Sequence, residues 1–368
     1  MKFTLLIVFA WIPLALAQTS PEPAAPPTLS AHSTLVIVPA LVRTRAGELV
    51  FTLAAKDFTV TDDGIEQKVR LEEDTDSEPL ALVVVVETGG SGSRQLDKYQ
   101  HLATLIEAVA GGVPHRIAVV GFDSSPRLLQ DFTSDEDQLA SAIHGLSPGN
   151  GGGAILDGLG FALYMLRQQP PEYRRAILLI SETIDHGSLI TMDDALREIS
   201  DTNTAIYSLG FSSSRSEAKH ETSKLNSKDP GPAGGCMSQD PSGDPSASHN
   251  RLAQTWECLS QLAPPLRAAK IAVLLGMNGV RRNVPESVAH LTGGEYFSFS
   301  NARNLESDLL TISNHVPNRY VLSFQPPSPH PGLHSLELRL PEYPNLVVTA
   351  RRSYWADSDA VRQPDPQP

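Results

Sequence analysis

The chain is short of the residues that most often announce a cofactor, a nucleic acid or a membrane. Its 368 residues hold only two cysteines, Cys236 and Cys258. That excludes a disulfide-stapled scaffold, and the pair matches no zinc-binding spacing. In an oxidising compartment the two would close one disulfide around the polar loop between them; otherwise they are two free thiols. Basic residues are outnumbered, 29 Lys and Arg against 42 Asp and Glu, for a formal net charge of −13. A nucleic-acid partner is thereby excluded, since a phosphate backbone wants a concentrated basic surface. The pairs Arg174-Arg175, Arg281-Arg282 and Arg351-Arg352 are isolated and read as solvated element ends. Beyond the first 17 residues no apolar run is long enough to span a bilayer.

Several catalytic and nucleotide motifs are present only as fragments. "GGSGS" around Ser91 lacks the last glycine of a nucleophile elbow, because position 93 is Ser. "GNGGG" at 149–153 lacks the Lys-Ser/Thr ending of a phosphate loop, and "GLGFAL" fails the dinucleotide fingerprint. His186 near the same sheet edge is a lone polar residue. These fragments point away from an enzyme, although a hydrolase using Ser91 and His186 stays open as an alternative.

What is present is a clear succession of segments. Met1-Lys2, the apolar "FTLLIVFAWIPLALA" and the small-residue ending Ala15-Leu16-Ala17 read as a signal peptide, residues 1–17. No cysteine follows it, as a bacterial lipoprotein would require. The mature chain is expected to be exported, periplasmic or extracellular, with no transmembrane anchor. Residues 18–33 are a proline-rich tether. Residues 34–76 hold short alternating runs split by the turn Asp62-Asp63-Gly64 and form a small β module.

From residue 77 to 316 apolar strands alternate with helix-length segments. "LALVVVVE", "RIAVVGFD", "RAILLISE" and "TAIYSLGF" are buried strands, with "RLLQDFT" at an edge. The spacing predicts helices over "QLDKYQHLATLIEAVAG", "DEDQLASAIHGL" with Ser134 and Asp137 as its capping box, "AILDGLGFALYMLRQQ" and "MDDALREIS". This is α/β: a doubly wound, mainly parallel sheet with helices on both faces. Residues 212–250 are polar and rich in Pro and Gly, a flexible insertion. Helical sequence resumes through "LAPPLRAAKIAVLLGMNGVRRNVPESVAHLTGG", followed by the short strand "EYFSFS" and the helix "NLESDLLTISNHV". Residues 317–356 return to β sequence and should pair with the N-terminal module, "SPHPG" serving as a hairpin connection. Residues 357–368 are a disordered tail. His290, His315, His330 and His334 are scattered along the chain without metal spacing.

In an open α/β sheet ligands sit beyond the carboxyl ends of the strands. Three segments meet there: "ALVVVVETGGSGS", "GGGAILDGL" and "LLISETIDHGS". In order and spacing they resemble the metal-site segments of a von Willebrand factor A domain. More narrowly, over residues 34 to 356, the chain resembles the VWFA-related proteins of Acidobacteria. That likeness includes the flanks "FTLAAKDFTVTDDGIEQKV", "LTGGEYFSFSNARNLESDL", "NRYVLSFQPPSPHPGLHSLELRL" and "SYWA".

The resemblance implies an adhesion site that holds a divalent ion on an Asp-x-Ser-x-Ser loop, a Thr and a second Asp, ready for a partner's carboxylate. Carried over, the first Asp falls on Glu87, the serines on Gly89 and Ser91, the Thr on Gly153 and the second Asp on Glu182. Only Ser91 keeps its type. Two hydroxyl ligands are gone, and both acids are one methylene too long for a tight magnesium site, which wants near-octahedral oxygens. The expected metal set is therefore degenerate: Glu87, Ser91 and Glu182, with Thr88, Ser93 or Asp185 able to compensate. It would hold no cofactor, or Mg, Mn or Ca weakly. The implied function is non-enzymatic binding of a protein or cell-envelope partner at the carboxyl edge of the sheet. A metal-independent structural or assembly role in the envelope is the alternative.

Overall fold

A computed structural model of the protein describes residues 35–72, 78–211, 283–327 and 329–356. The signal segment, the tether, the 212–250 insertion, both cysteines and the 357–368 tail lie outside the described residues, as does the helical sequence before Asn283. Elements are numbered through the described residues.

The N-terminal arm supplies β1 (Val36–Thr44), β2 (Thr59–Asp62), β3 (Ile65–Gln67) and β4 (Arg70–Leu71). The β2–β3 turn is made by Asp63 and Gly64, both at positive φ (49° and 85°), a conformation that Asp tolerates and Gly favours.

The α/β core begins with β5 (Leu80–Glu87), every residue of which is buried. A strand covered on both faces needs no polar alternation, and its valine run is the result. Leu82, Val84 and Val86 pack to one side; Ala81, Val83 and Val85 pack to the other. Burying each valine contributes about 1.5–3 kcal/mol as an upper figure. Next come α1 (Leu102–Ala110), β6 (His115–Phe122), β7 (Pro126–Thr133), α2 (Glu136–His144) and α3 (Ile155–Arg167). Then follow β8 (Arg174–Glu182), α4 (Met192–Thr202), β9 (Ala205–Phe211), α5 (Val284–Thr292), β10 (Tyr296–Ser298) and α6 (Ala302–His315).

The six-stranded sheet has the order β10-β9-β8-β5-β6-β7. All neighbours run parallel except β7, which is the antiparallel edge strand. Helices α1, α2 and α6 cover one face through Ile106, Ile143 and Leu309; α3, α4 and α5 cover the other through Leu159, Ile199 and Val288. This is the doubly wound, mainly parallel sheet with helices on both faces that the sequence leads one to expect.

The C-terminal arm adds β11 (Tyr320–Phe324), β12 (Gly332–Arg339), β13 (Leu346–Ala350) and β14 (Ser353–Ala356). As expected, the two chain ends pair with each other. They form one sheet of order β13-β1-β11-β4 and another of order β14-β12-β2-β3, packed on a shared core of Val38, Phe58, Val60, Leu322, Phe324 and Leu336. "SPHPG" is therefore not a hairpin connection. Strand β11 pairs with β1 and β4, whereas β12 pairs with β2 and β14, so the segment crosses from one sheet to the other.

Two local expectations change. The long helix after β5 begins only at Leu102, residues 92–98 forming two short 3-10 turns. Helix α2 is capped by Asp135, whose carboxylate accepts from the amides of Asp137 and Gln138. Ser134 is not the cap: Asp135 is one residue closer to the first turn and its charge favours the helix N-terminus.

The sandwich docks at the amino end of the large sheet, and among the described residues it does not cover the carboxyl end. Buried Arg351 is the main tie. Its guanidinium donates to the Ser353 and Ile37 carbonyls, to Asn203 Oδ1 and to Ser200 Oγ at the end of α4. Burial pushes it down to about 10. Buried Glu295 makes a second tie, to His315 Nδ1 at 2.9 Å and Arg319 at 3.1 Å.

Candidate functional site at the carboxyl end of the sheet

Glu87 ends β5, and its carboxyl is almost wholly enclosed, the residue being 1% exposed. Its Oε2 accepts the Glu182 amide at 2.6 Å. Its other oxygen faces Gly153 and Gly90, 3.4 and 3.8 Å from where a Cβ would stand on each. Burial pushes the carboxyl up to about 7, and the nearby charges of Glu182 and Asp185 push the same way; the Glu182 and Gly92 amides resist. Glu87 therefore sits between neutral and charged at physiological pH, held by backbone donors.

The glycines explain the closeness of the loops. A Cβ on Gly89 would lie 2.2 Å from the Gly152 carbonyl and 2.6 Å from Asp123 Cβ. One on Gly92 would lie 2.3 Å from the Glu87 carbonyl. A serine at 89 therefore has no room unless the 149–153 loop moves away. Gly90 N–H donates to the Asn150 carbonyl and Gly149 N–H to the Thr88 carbonyl, which fastens the two loops together. With two of its three hydroxyl positions, 89 and 153, taken by close-packed glycines and its first acid bound to backbone, this arrangement does not fit the oxygen set that magnesium requires.

The other expected residues are placed as follows. Ser91 is 9% exposed and its Oγ accepts from Arg94 at 3.2 Å. Glu182, at the end of β8, is 5% exposed. Thr88 Oγ1 donates to the Phe122 carbonyl and Ser93 Oγ to the Gly90 carbonyl. Asp185 accepts the Leu156 amide at 3.1 Å and the Ser188 hydroxyl at 2.5 Å. Ala154, where α3 starts, has no side-chain cap to offer, so the loop after β8 supplies one from Asp185 and Ser188. His186 is exposed and bridges Gly153 through its backbone. Among the described residues no hydrogen bond joins His186 to Ser91.

Sequence reasoning missed the strongest feature of this edge. Leu189 is 91% exposed, yet its backbone is clamped: its amide donates to both carboxylate oxygens of Asp157, at 2.9 and 3.1 Å, and the Ile190 amide donates to the same group at 3.0 Å. An apolar side chain is thus presented to solvent on a rigid loop. The signal in the sequence was Asp157 one turn into α3, followed by "HGSLIT" with its leucine among polar residues.

Asp123, in the neighbouring loop after β6, also serves the backbone. Burial alone would raise its carboxyl, but the amides of Asn150, Ser125 and Ser124 outweigh it and hold the group below the ordinary range.

The histidines are less scattered than their spacing suggests. His315 pairs with Glu295 inside the fold. His330 and His334 stack at 4.0 Å beside Asp62 and Asp63, in the sandwich and away from this edge. The sequence signal was the i, i+4 pair in "HPGLH" together with "DDG", far apart in the chain and joined only by the β2–β12 pairing.

Comparison with known proteins follows the fold. Residues 82–185 match the family model of the von Willebrand factor type A domain. No protein of curated function matches the chain. Among solved structures, BatB from Bacteroides thetaiotaomicron is 16% identical at a TM-score of 0.31, covering 36% of this chain and 66% of that one. The von Willebrand domain of the type V pilus tip protein Mfa5 from Porphyromonas gingivalis is 26% identical at 0.25, covering 30% and 39%. An aerotolerance-related membrane protein from Bacteroides fragilis is 15% identical at 0.36, covering 64% and 98%. The chain thus spans less than two thirds of the length of the first two structures. No helix among the described residues is long and apolar enough to cross a membrane.

Proposed function

We propose that this chain is an exported, non-enzymatic protein-binding module that engages its partner at the carboxyl edge of the large sheet and does so without the adhesion metal. The observation that carries the reading is the contrast at that edge. Glu87 is bound to the Glu182 amide under close-packed glycines, while Leu189 stands exposed on a loop clamped by Asp157. A rigid apolar anchor needs little ordering on binding and so keeps more of its contact energy. Von Willebrand A domains generally mediate protein–protein contacts, which supports the class of partner. The narrower likeness to the VWFA-related proteins of Acidobacteria rests on the flanking segments and favours a partner in or outside the cell envelope.

The test places a photoreactive residue at position 189 of the full chain in its native host. A discrete cross-linked product that persists in chelator, and is absent when the residue sits at exposed Leu310, is expected. Loss of the product in chelator, the same product from both positions, or none from 189 would overturn the proposal.

A further inference from the structure

We propose that Asp63, His330 and His334, backed by Asp62, form a binding site for a divalent transition-metal ion of the zinc class, in the sandwich and independent of the carboxyl edge.

The donors converge from segments that only the fold brings together. One ligand atom from each of Asp63, His330 and His334 lies within 4.8 Å of the others. Asp63 Oδ2 is 2.9 Å from His334 Nδ1 and 3.1 Å from His330 Nε2. Asp62 Oδ1 stands 2.9 Å from the same Nδ1. A tetrahedral zinc with bonds of about 2.0–2.1 Å keeps its ligand atoms roughly 3.3 Å apart, so Asp63 already stands near the required spacing from each imidazole. The ion would replace hydrogen-bonded protons between these atoms and take Asp62 Oδ1 or a water as its fourth ligand.

Equally telling is what holds the other end of each donor. Asp63 Oδ1 accepts the Ser335 amide at 3.0 Å. Asp62 Oδ2 accepts the Tyr354 hydroxyl at 2.7 Å. His334 Nε2 lies 2.7 Å from the His330 carbonyl, which leaves Nδ1 as its ligand atom. Tyr354 packs on one side of the His334 ring at 4.6 Å, and His330 stacks on the other at 4.0 Å and 19°; because imidazole lone pairs lie in the ring plane, exposed His330 turns out of this stack when both nitrogens bind one ion. Metal-binding histidines usually give their second nitrogen to a carbonyl or carboxylate, and such partners fix ring orientation and basicity. Here both carboxylates and the buried imidazole are aimed in this way.

Burial completes the case. The His334 and Asp62 side chains are 3% and 7% exposed, whereas His330 and Asp63 are 64% and 26% exposed. The site has a fixed back wall and an open front by which an ion could enter. Two imidazoles with carboxylate suit zinc, cobalt or nickel, and disfavour magnesium and calcium, which want oxygen. The competing account is that a charged His334 between two aspartates simply locks the turn onto β12; that account predicts no saturable metal binding.

The experiment titrates zinc chloride, and separately magnesium chloride, into the chelator-treated full chain by calorimetry. It is repeated with His330→Ala and Asp63→Asn. His330 is exposed, and Asn tolerates the positive φ of position 63, so both variants should fold. One zinc per chain, no magnesium heat, and at least about tenfold weaker zinc binding in each variant are expected. Cobalt should give the intense visible bands of a tetrahedral site, lost in His330→Ala. No saturable zinc binding, or zinc binding unchanged in both variants, would overturn the site. Cross-linking from position 189 does not depend on this result.

Discussion

The chain gathers acids in two places, and their neighbours give them opposite roles. At the carboxyl end of the large sheet, Glu87, Asp123, Asp157 and Asp185 each bind backbone amides. They hold loops, and glycines let those loops pack down on them. In the sandwich, Asp62 and Asp63 face imidazoles, and each has its second oxygen fixed by another donor. A carboxylate that serves amides is a structural part. One that is aimed beside nitrogen ligands is a candidate for a metal. The site inherited by resemblance is thus the less suited of the two to holding an ion.

The largest expected effect comes from restoring the family residue. Gly89→Ser should destabilise the fold by about 3 kcal/mol or more, because its Cβ would lie 2.2 Å from the Gly152 carbonyl and overpacking against backbone has no cheap relief. Urea denaturation measures it; an equally stable variant that also gains magnesium binding would erase the contrast.

Glu87→Gln comes next. Because the folded carboxyl is raised from 4.5 to about 7, the folded chain binds more protons than the unfolded one between those values. The stability this group contributes is full below pH 4.5 and is lost as pH rises through 7. The variant, which cannot ionise, should match the parent near pH 4.5 and exceed it by about 2–3 kcal/mol at pH 8. A parent whose stability rises over that range relative to the variant would contradict the assignment.

Removing the loop clamp should matter less. Asp157→Ala should cost about 1–2 kcal/mol, the range for losing a cap that satisfies orphan amides, and should free the Leu189 and Ile190 amides to exchange with solvent faster. Unchanged exchange at those two amides would mean the loop is held by something else. Smallest in stability is Leu189→Asp, within about 0.5 kcal/mol as for most exposed positions. It should nonetheless weaken partner capture at this edge, and a full-strength cross-link in that variant from position 124, in the loop after β6, would argue against the leucine as anchor.

Much of the fold was legible because its signals are local. The valine run of β5 and the apolar periodicity of the helix segments each act within a few residues, whereas the Thr191, Asn283 and Asn301 caps were not read from the sequence. The pairing of the two chain ends was legible from composition alone. The crossing of "SPHPG" between sheets was not, since β11 and β12 look alike and only the N-terminal strands decide which sheet each joins. The same limit hid the metal candidate. Asp63 and His334 are separated by most of the chain, and no local pattern ties "DDG" to "HPGLH". At the carboxyl edge the resemblance located Glu87, Ser91 and Glu182, but the crowding at Gly89 and the exposure of Leu189 depend on how loops meet.

One calorimetric series tests the comparison most directly: magnesium and zinc titrated in turn into the chelator-treated full chain. The account predicts saturable zinc binding that His330→Ala weakens, and no magnesium binding. Saturable magnesium binding that disappears in Glu87→Gln would contradict it and return the metal to the carboxyl end of the sheet.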